Sequence, residues 1–419
     1  MMIKRNPKQA SAFHDKSRFK FLLTARRGGK TYLIKEDICR EIPKMPPYAE
    51  IAYTGPTLMQ AREIIWDVLE ERFYNLGWSY KSFPSKNRFE FSRGRKCYVL
   101  GAEKISRLRG HKLWKAYLDE VAFFGSSLKD CWRVIRPTLA DYQGGAILST
   151  TPNGTMTDCH DFYLEILDKP EWSVHTWHTQ DNPWIPREEI EAAKREMDEK
   201  SFAQEYLATW TSFEGLAYFS FSEELNVIDA MPFDFSEPII FCSDFNCSPS
   251  SLLLAQWQNG KMYFKKEYRF MNSSTEETIM AFCDDFQKHA ANVNILIRGD
   301  AAGKSRNSAT GRSDYSYMEE ILTSRGFRFQ KQVLSHNPPI VDRVKTMNAY
   351  LKNFLGESKI KICKCCKEFI KDLSSQILTG RKPYEGKDGL SGHLNDAAGY
   401  AIYYQDRLQK ITPVASRIL

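Results

Sequence analysis

Apolar residues in the first half of the chain fall alternately into short continuous runs and helical stripes. A run at 21–23 precedes a stripe in which Ile34, Ile38 and Ile42 share one helical face, and Pro43 stops it. A second run, 51–53, precedes a helix after Thr57 with Ile65, Leu69 and Phe73 at i, i+4 and i+8, closed by Gly77. Residues 88–99 read as a basic hairpin turning at Arg93-Gly94, and further strands read at 116–118 and 146–148. Strands alternating with helices predict a largely parallel sheet covered on both faces.

The pattern changes in the second half. Residues 211–237 have no clean period, and their mix of Ser, Glu, Gly and Phe predicts a loosely packed linker. Beyond it, strands at 239–243, 252–257 and 262–268, with Asn259-Gly260 turning the second pair, predict three antiparallel strands. A capping box of Ser274 with Glu277 opens a helix to about His289, and a fourth strand follows at 293–297. A helix from Ile340, a strand at 359–363 and a last helix over 394–408 complete the pattern.

At 419 residues the chain exceeds what one core usually fills, which predicts two domains. Hydrophobic residues at 42% and charged residues at 26% exclude a disordered chain. No stretch reaches the roughly 20 apolar residues of a membrane span, and the first residues lack the apolar centre of a secretory signal, so a soluble, intracellular protein with no membrane partner is expected. The ten cysteines are scattered singly in apolar segments, as reduced core thiols are, except at Cys363, Cys365 and Cys366. There a C-x-x-C pair could begin a zinc site, but neither a second pair nor spaced histidines supply four ligands. The net charge of +7 is compatible with a polyanionic partner.

Candidate chemistry appears first after the opening strand. The segment 24–31, Thr-Ala-Arg-Arg-Gly-Gly-Lys-Thr, matches the phosphate-binding loop G-x-x-x-x-G-K-[ST] except that Thr24 replaces the first glycine. Gly28 and Gly29 let backbone N–H groups face phosphate oxygens, Lys30 reaches the β- and γ-phosphates, and Thr31 can ligate Mg²⁺ at the head of a helix. An acidic pair should end another strand, and Asp119-Glu120 follows the apolar 116–118. Asp119 would hold Mg²⁺ through water, and Glu120 would polarise the water that attacks the γ-phosphate. Residues 149–154 end a further strand with hydroxyls, Thr150 among them, that could sense the γ-phosphate. Arg107 and Arg109 lie in a basic segment, where either a finger acting on a neighbouring subunit or a solvated loop is compatible with the residues. His175 and His178 read as ordinary edge or core residues.

The second half carries three aspartates at element ends: Asp244 after one strand, Asp300 after the fourth, and Asp396 in the first turn of the last helix. Strand, hairpin, helix and strand with acids at these points is the order of a ribonuclease-H-like fold, in which converging carboxylates bind two divalent ions, Mg²⁺ or Mn²⁺, and cleave a phosphodiester. Basic residues interleaved with aromatics at 81–96 could track DNA phosphates or form a solvated hairpin.

On these motifs the sequence resembles the large terminase subunit of tailed bacteriophages. The resemblance spans nearly the whole chain. Arg26 and Arg27 match the arginines that often precede the family's Gly-Lys-Thr, Gln9 is placed like its adenine-contacting glutamine, and Gly55-Pro56-Thr57 with Gln60-Ala61 resembles the segment after its second strand. Arg109-Gly110 ahead of Asp119-Glu120 implies that Arg109 is the finger acting in trans. Residues 149–152 resemble the family's coupling motif, and 202–207 the segment closing its ATPase domain. Asp244, Asp300 and Asp396 resemble its three metal-binding positions, whereas Thr24, Asn395 and Gly399 depart from its commoner residues.

The expected α/β architecture is therefore a P-loop ATPase domain with a mainly parallel sheet over 1–211, a linker over 212–237, a ribonuclease-H-like nuclease domain over 238–408 and a tail over 409–419. The resemblance implies an ATP-driven motor that translocates double-stranded DNA into a procapsid and cuts it. Its implied partners are the portal protein, a small terminase subunit and its own copies in a ring, usually a pentamer, in the host cytoplasm and transiently at the portal. Two other readings fit the residues: a repair or recombination ATPase with a nuclease domain, and an ATPase whose second half only grips DNA or portal protein.

Overall fold

A computed structural model describes residues 6–155, 157–212, 214–245, 249–305, 311–379, 382–383 and 392–411. The chain divides into two compact units, 1–191 with 200–212, and 192–199 with 213–419. Both are α/β.

The first unit runs α1 (Pro7–His14), β1 (Phe19–Thr24), α2 (Lys30–Glu41), β2 (Glu50–Gly55), α3 (Leu58–Asn75), β3 (Tyr80–Phe83), β4 (Arg88–Phe91), β5 (Lys96–Gly101), β6 (Leu113–Asp119), α4 (Leu128–Thr138), β7 (Gly145–Thr150), α5 (Asp158–Ile166) and β8 (Trp172–Trp177). The helices α6 (Arg187–Glu196) and α7 (Glu199–Leu207) follow. The sheet order is β3-β4-β5-β2-β6-β7-β1-β8, parallel from β5 through β8. All six residues of β1 are buried, because Leu22 enters the core on one face while Phe21 and Leu23 enter the core on the other. A strand covered on both sides therefore reads as a continuous apolar run.

The hairpin predicted at 88–99 is present, and β3 adds a strand that the polar run at 79–82 concealed. Its aromatics face inward: Phe89 and Phe91 stack edge-on against Phe73 at centroid distances of 5.4 and 5.1 Å. Glu90 and Glu50 pair with Arg88 and Lys96. The rings therefore close a core, and exposed Lys81, Lys86 and Arg93 are what this hairpin offers to solvent.

The second unit runs β9 (Gly215–Leu216), α8 (Glu223–Asn226), β10 (Val227–Ile228), β11 (Ile239–Asp244), β12 (Ser250–Gln258), β13 (Lys261–Phe270), α9 (Thr275–Phe286), β14 (Asn294–Gly299), α10 (Asp314–Ser324), β15 (Arg328–Lys331), α11 (Ile340–Leu351), β16 (Ile360–Cys363), α12 (Lys367–Ser375), β17 (Ile377–Thr379), β18 (Lys382–Pro383) and α13 (His393–Ile411). Its main sheet has the order β10-β16-β13-β12-β11-β14-β15. The antiparallel trio β11 to β13 and the capped helix α9 match the sequence pattern, and β14 returns parallel to β11. Helix α13 packs on the centre of this sheet through Leu394, Ala397, Ala398 and Ala401. It runs through 409–411, where a tail was expected, and 412–419 lies outside the described residues.

The segment expected to be a loose linker is instead part of the second unit. Strand β10 pairs with β16, β9 pairs with β17, and Ala217 and Tyr218 are buried. No period was readable because these elements are two to four residues long. Polar contacts hold the segment: buried Asn226 donates Nδ2 to the carbonyls of Leu351 (2.9 Å) and Ile360 (3.3 Å) and to Ser358 Oγ (3.0 Å), while Oδ1 accepts from Ser222 N. Eight of the nine described cysteines are buried, and exposed Cys365 donates its thiol to the Lys265 carbonyl. No helix among the described residues is long and apolar enough to cross a membrane.

Asn226→Ala takes a donor from the buried Leu351 carbonyl and an acceptor from Ser222 N, while Ile360 O keeps Ser358 Oγ, so the unfolding free energy of the second unit should fall by about 1–3 kcal/mol in urea titration. A loose linker would instead give a change within about 0.5 kcal/mol.

Candidate functional site

The glycine-rich loop joins β1, which lies between β7 and β8, to the start of α2. Gly29 caps α2 with φ at +83°, and a Cβ there would lie 2.7 Å from Gln9 Nε2. A Cβ on Gly28 would lie 2.9 Å from Trp177 Nε1. Both positions therefore need glycine. Thr24, where the motif has its first glycine, is the fully buried last residue of β1, and the turn begins one residue later with Gly28 N–H donating to the Ala25 carbonyl (3.1 Å).

Four successive carbonyls of the loop each accept a side-chain donor. Thr179 Oγ1 donates to Arg26 O (2.8 Å), Asn182 Nδ2 to Arg27 O (2.6 Å), Trp177 Nε1 to Gly28 O (2.6 Å) and Gln9 Nε2 to Gly29 O (2.8 Å). In a trans peptide the C=O and the following N–H point in opposite directions. Fixing these carbonyls outward turns the N–H groups of Arg27, Gly29 and Lys30 toward the other side, as anion binding requires.

That side is a cleft of about 310 Å³ lined by Arg26, Arg27, Lys30, Glu120, Phe123 and Thr151. Lys30 Nζ lies 2.8 Å from Glu120 Oε1 and donates to Thr151 Oγ1 at 2.9 Å. Behind it, Asp119 Oδ2 accepts from Thr31 Oγ1 and Tyr53 OH, both at 2.9 Å, while Oδ1 accepts from Ser149 Oγ and from Glu120 N. Glu120 adopts φ +58°, a turn that sends its carboxylate away from Asp119 and toward Lys30. Burial raises the Glu120 pKa above the ordinary carboxylate value; Lys30 opposes the shift and Asp119 adds to it.

The structure thus gathers Lys30, Thr31, Asp119 and Glu120, with Gln9, Arg26, Arg27, Gly28 and Gly29 around them. Thr150 differs from the expectation. Side chains alternate along β7, so Ser149 and Thr151 share the side facing the cluster, whereas Thr150 Oγ1 donates to Thr151 O and accepts from Ala122 N. Arg109 is exposed beyond the helical turns of Ala102–Leu108, and among the described residues no hydrogen bond or ion pair ties it to the cluster. Trp177, Thr179, Asn182 and Tyr53 were not readable as site residues, because their role comes from strand neighbours far apart in sequence.

In the second unit, β11 and β14 are adjacent, and Asp300 N donates to Ser243 O (3.2 Å), which sets Asp244 and Asp300 on neighbouring strand ends. Asp244 Oδ2 lies 2.9 Å from His393 Nδ1. Asp300 Oδ1 accepts from Ala302 N (2.6 Å) and Asn337 Nδ2 (2.7 Å). Asp396 Oδ1 instead accepts from Arg343 Nη2 at 2.6 Å. Burial raises the Tyr400 phenol pKa; Arg343 opposes the shift, and the charges of Asp300, Asp396 and Asp244 add to it. Among the described residues no group of three or more His, Cys, Asp or Glu is disposed to hold one metal ion. His393, one helical turn before Asp396, was legible only by that spacing, and Arg343 carried no local mark at all.

No protein-family model matches the chain. It is 23% identical over 412 residues to the large terminase subunit of Escherichia phage T5, covering 92% of this chain and 86% of that protein. The fold superposes on the large terminase of a thermophilic bacteriophage with a TM-score of 0.56 at 18% identity, covering 95% of this chain and 98% of that one. The large terminase of the same thermophilic phage in complex with ADP gives a TM-score of 0.54 at the same coverage. The chain is thus similar to large terminases over nearly its whole length, as its motifs imply.

Trp177→Phe keeps an aromatic ring and removes the donor to Gly28 O. The dissociation constant for ADP, measured calorimetrically, should rise about five- to tenfold, the equivalent of one hydrogen bond.

Proposed function

We propose, from that similarity and from the cluster joining Lys30, Thr31, Asp119 and Glu120, that this protein is a viral DNA-packaging motor: an ATPase that moves double-stranded DNA into a procapsid, with a metal-dependent endonuclease in its second unit. The single observation that carries the reading is the meeting of the two halves of a nucleoside-triphosphatase site, separated by some 90 residues, within hydrogen-bond distance at Thr31 and Asp119. The proposed surroundings are those of such a motor: a homo-oligomeric ring, a pentamer, docked on the portal protein in the host cytoplasm, with a small subunit selecting the genome.

The chemistry follows from the residues. Loop N–H groups and Lys30 bind the phosphates, and Arg26 and Arg27 add positive charge at the rim of the cleft. The Thr31 hydroxyl and the Asp119 carboxylate fit a hard divalent cation, and Mg²⁺ held there would offset the charge of the β- and γ-phosphates. Phosphate oxygens compete with Glu120 for the Lys30 ammonium. Once released, Glu120 is free to accept a proton from the attacking water. Thr151, bonded to Lys30 and two residues from Ser149 on Asp119, would report the state of the phosphates to β7. In the second unit Asp244 and Asp300 fit a divalent cation, Mg²⁺ or Mn²⁺, which would activate water and stabilise the leaving oxygen of a phosphodiester. A second reading, a module that grips DNA without cutting it, is favoured by the commitment of Asp396 to Arg343.

Paired variants separate these activities. Glu120→Gln should bind ATP but lower turnover by two or more orders of magnitude, and Lys30→Ala should abolish it, with DNA cleavage retained in both. Asp244→Asn should do the reverse. An Asp244→Asn chain that cuts DNA at the parent's rate with Mn²⁺ overturns the nuclease assignment. Because a base must be ionised, ATP turnover should fall as pH drops through the raised Glu120 pKa, placing the acid limb above the ordinary Glu value of about 4.3.

Arg109, exposed and away from its own chain's cluster, fits action on a neighbour. Arg109→Ala should lose turnover, and mixing it with Lys30→Ala should restore part of it, since an intact Lys30 then meets an intact Arg109. Assembled mixtures no more active than the separate variants would refute the role in trans.

A further inference from the structure

Eight of the nine tryptophans are buried or half-buried, and Trp184 alone is exposed, at 72%. Its indole makes no ring contact and no hydrogen bond among the described residues. An indole left in water presents a large planar apolar face that no part of this chain covers. Its backbone is not loose: Pro183 and Pro186 bracket the residue and narrow the conformations of the turn. A stiff turn thus holds a ring out to solvent.

The turn is fastened to the phosphate-binding loop by Asn182. Its Oδ1 accepts from Trp184 N (3.1 Å), its Nδ2 donates to Arg27 O (2.6 Å), and its carbonyl accepts from Ile185 N (3.2 Å). From the other side Lys8 pairs with Asp181 Oδ2 at 2.8 Å, which ties the start of α1, and with it Gln9, to the same turn. Sheet order gives the direction. On the reading above the terminal phosphate lies at Lys30 and Glu120, and Glu120 follows β6, on the β7 side of β1. The segment 178–184 follows β8, on the opposite side of β1. The cleft lining offers phosphates charge and a hydroxyl, and its one ring, Phe123, comes from the turn after Glu120, at the terminal-phosphate end. A base at the other end therefore needs a surface beyond the cleft, on the side where Gln9 and Trp184 stand.

We infer that Trp184 is the stacking face for the base of the bound nucleotide, so that the loop takes the phosphates and the indole takes the base. The inference rests on the nucleotide-binding reading above and concerns affinity, not the chemical step. Stacking tolerates any base because every base has a π face, and a two-ring purine covers more of the indole than a pyrimidine does. Trp184 accordingly favours purine nucleotides as a class, while hydrogen-bonding groups choose among them. Asn182 makes the two halves of the grip one structure, since the same side chain holds Arg27 O and the turn that carries the ring.

Calorimetric dissociation constants of the full-length chain for ADP and for inorganic pyrophosphate, both with Mg²⁺, test this, because pyrophosphate presents two phosphates without a base. Trp184→Ala should raise the constant for ADP about fivefold or more and leave that for pyrophosphate within about twofold, and Trp184→Phe, which keeps a ring, should recover most of the loss. ADP should also quench a fluorescence component of the parent that Trp184→Phe lacks. Equal weakening of both ligands in Trp184→Ala would make the residue a support of the loop and overturn the inference. Unchanged ADP binding would overturn it too, leaving the indole to a protein or DNA surface. Where pyrophosphate binds too weakly to titrate, or Trp184→Ala fails to fold, the fluorescence decides: an ADP-induced change identical in the parent and Trp184→Phe overturns the inference. A parent chain that binds neither ligand would instead bring down the nucleotide-binding reading, and the inference with it.

Discussion

A carboxylate that is 1% exposed, as Asp119 is, has to find its hydrogen bonds inside the protein, and the first unit is organised around supplying them. Thr31 comes from the start of α2, Tyr53 from β2, Ser149 from β7, and the fourth donor is the N–H of the next residue. Each donor fixes the element that carries it. The position of α2 fixes Lys30, the end of β7 fixes Thr151, and the turn after Asp119 fixes Glu120. Placing β7 between β1 and β6 makes this possible, since one strand end then faces both the loop and the acidic pair.

The loop is held by a different device. Its glycines permit the backbone path, but the path is selected by four donors from outside the loop, three of them at the end of β8 and just beyond it. Such a loop needs little reorganisation on binding an anion, so less of the binding free energy is lost to ordering it. The replacement of the first motif glycine by Thr24 is tolerated for the same reason: that residue is still strand, and the turn is made after it.

Each of the three acids in the second unit meets nitrogen groups. Asp244 meets His393, Asp300 meets backbone and amide donors, and Asp396 meets Arg343, so each acid has its own partner. The aspartates stand at ends of elements, where a strand terminus or helix start exposes a side chain without breaking a core. That placement is what made them legible.

In the sequence by itself the strand and helix succession, the double-sided burial of β1, the loop with its lysine and the acidic pair were all legible locally, because each depends on residues within a few positions of one another. So was the placement of Asp244, Asp300 and Asp396 at element ends. The rest depends on contacts between distant segments. Residues 212–237 are integrated through Asn226 and two-residue strands too short to show a period. Thr151 rather than Thr150 faces Lys30 because pleating, not composition, chooses the side of β7. Trp177 and Tyr53 gained their roles from strand order, and Arg343 reached Asp396 across a gap left by Gly399. These are contacts between residues some 50 to 150 positions apart, and no local pattern encodes which distant donor a buried acceptor will meet.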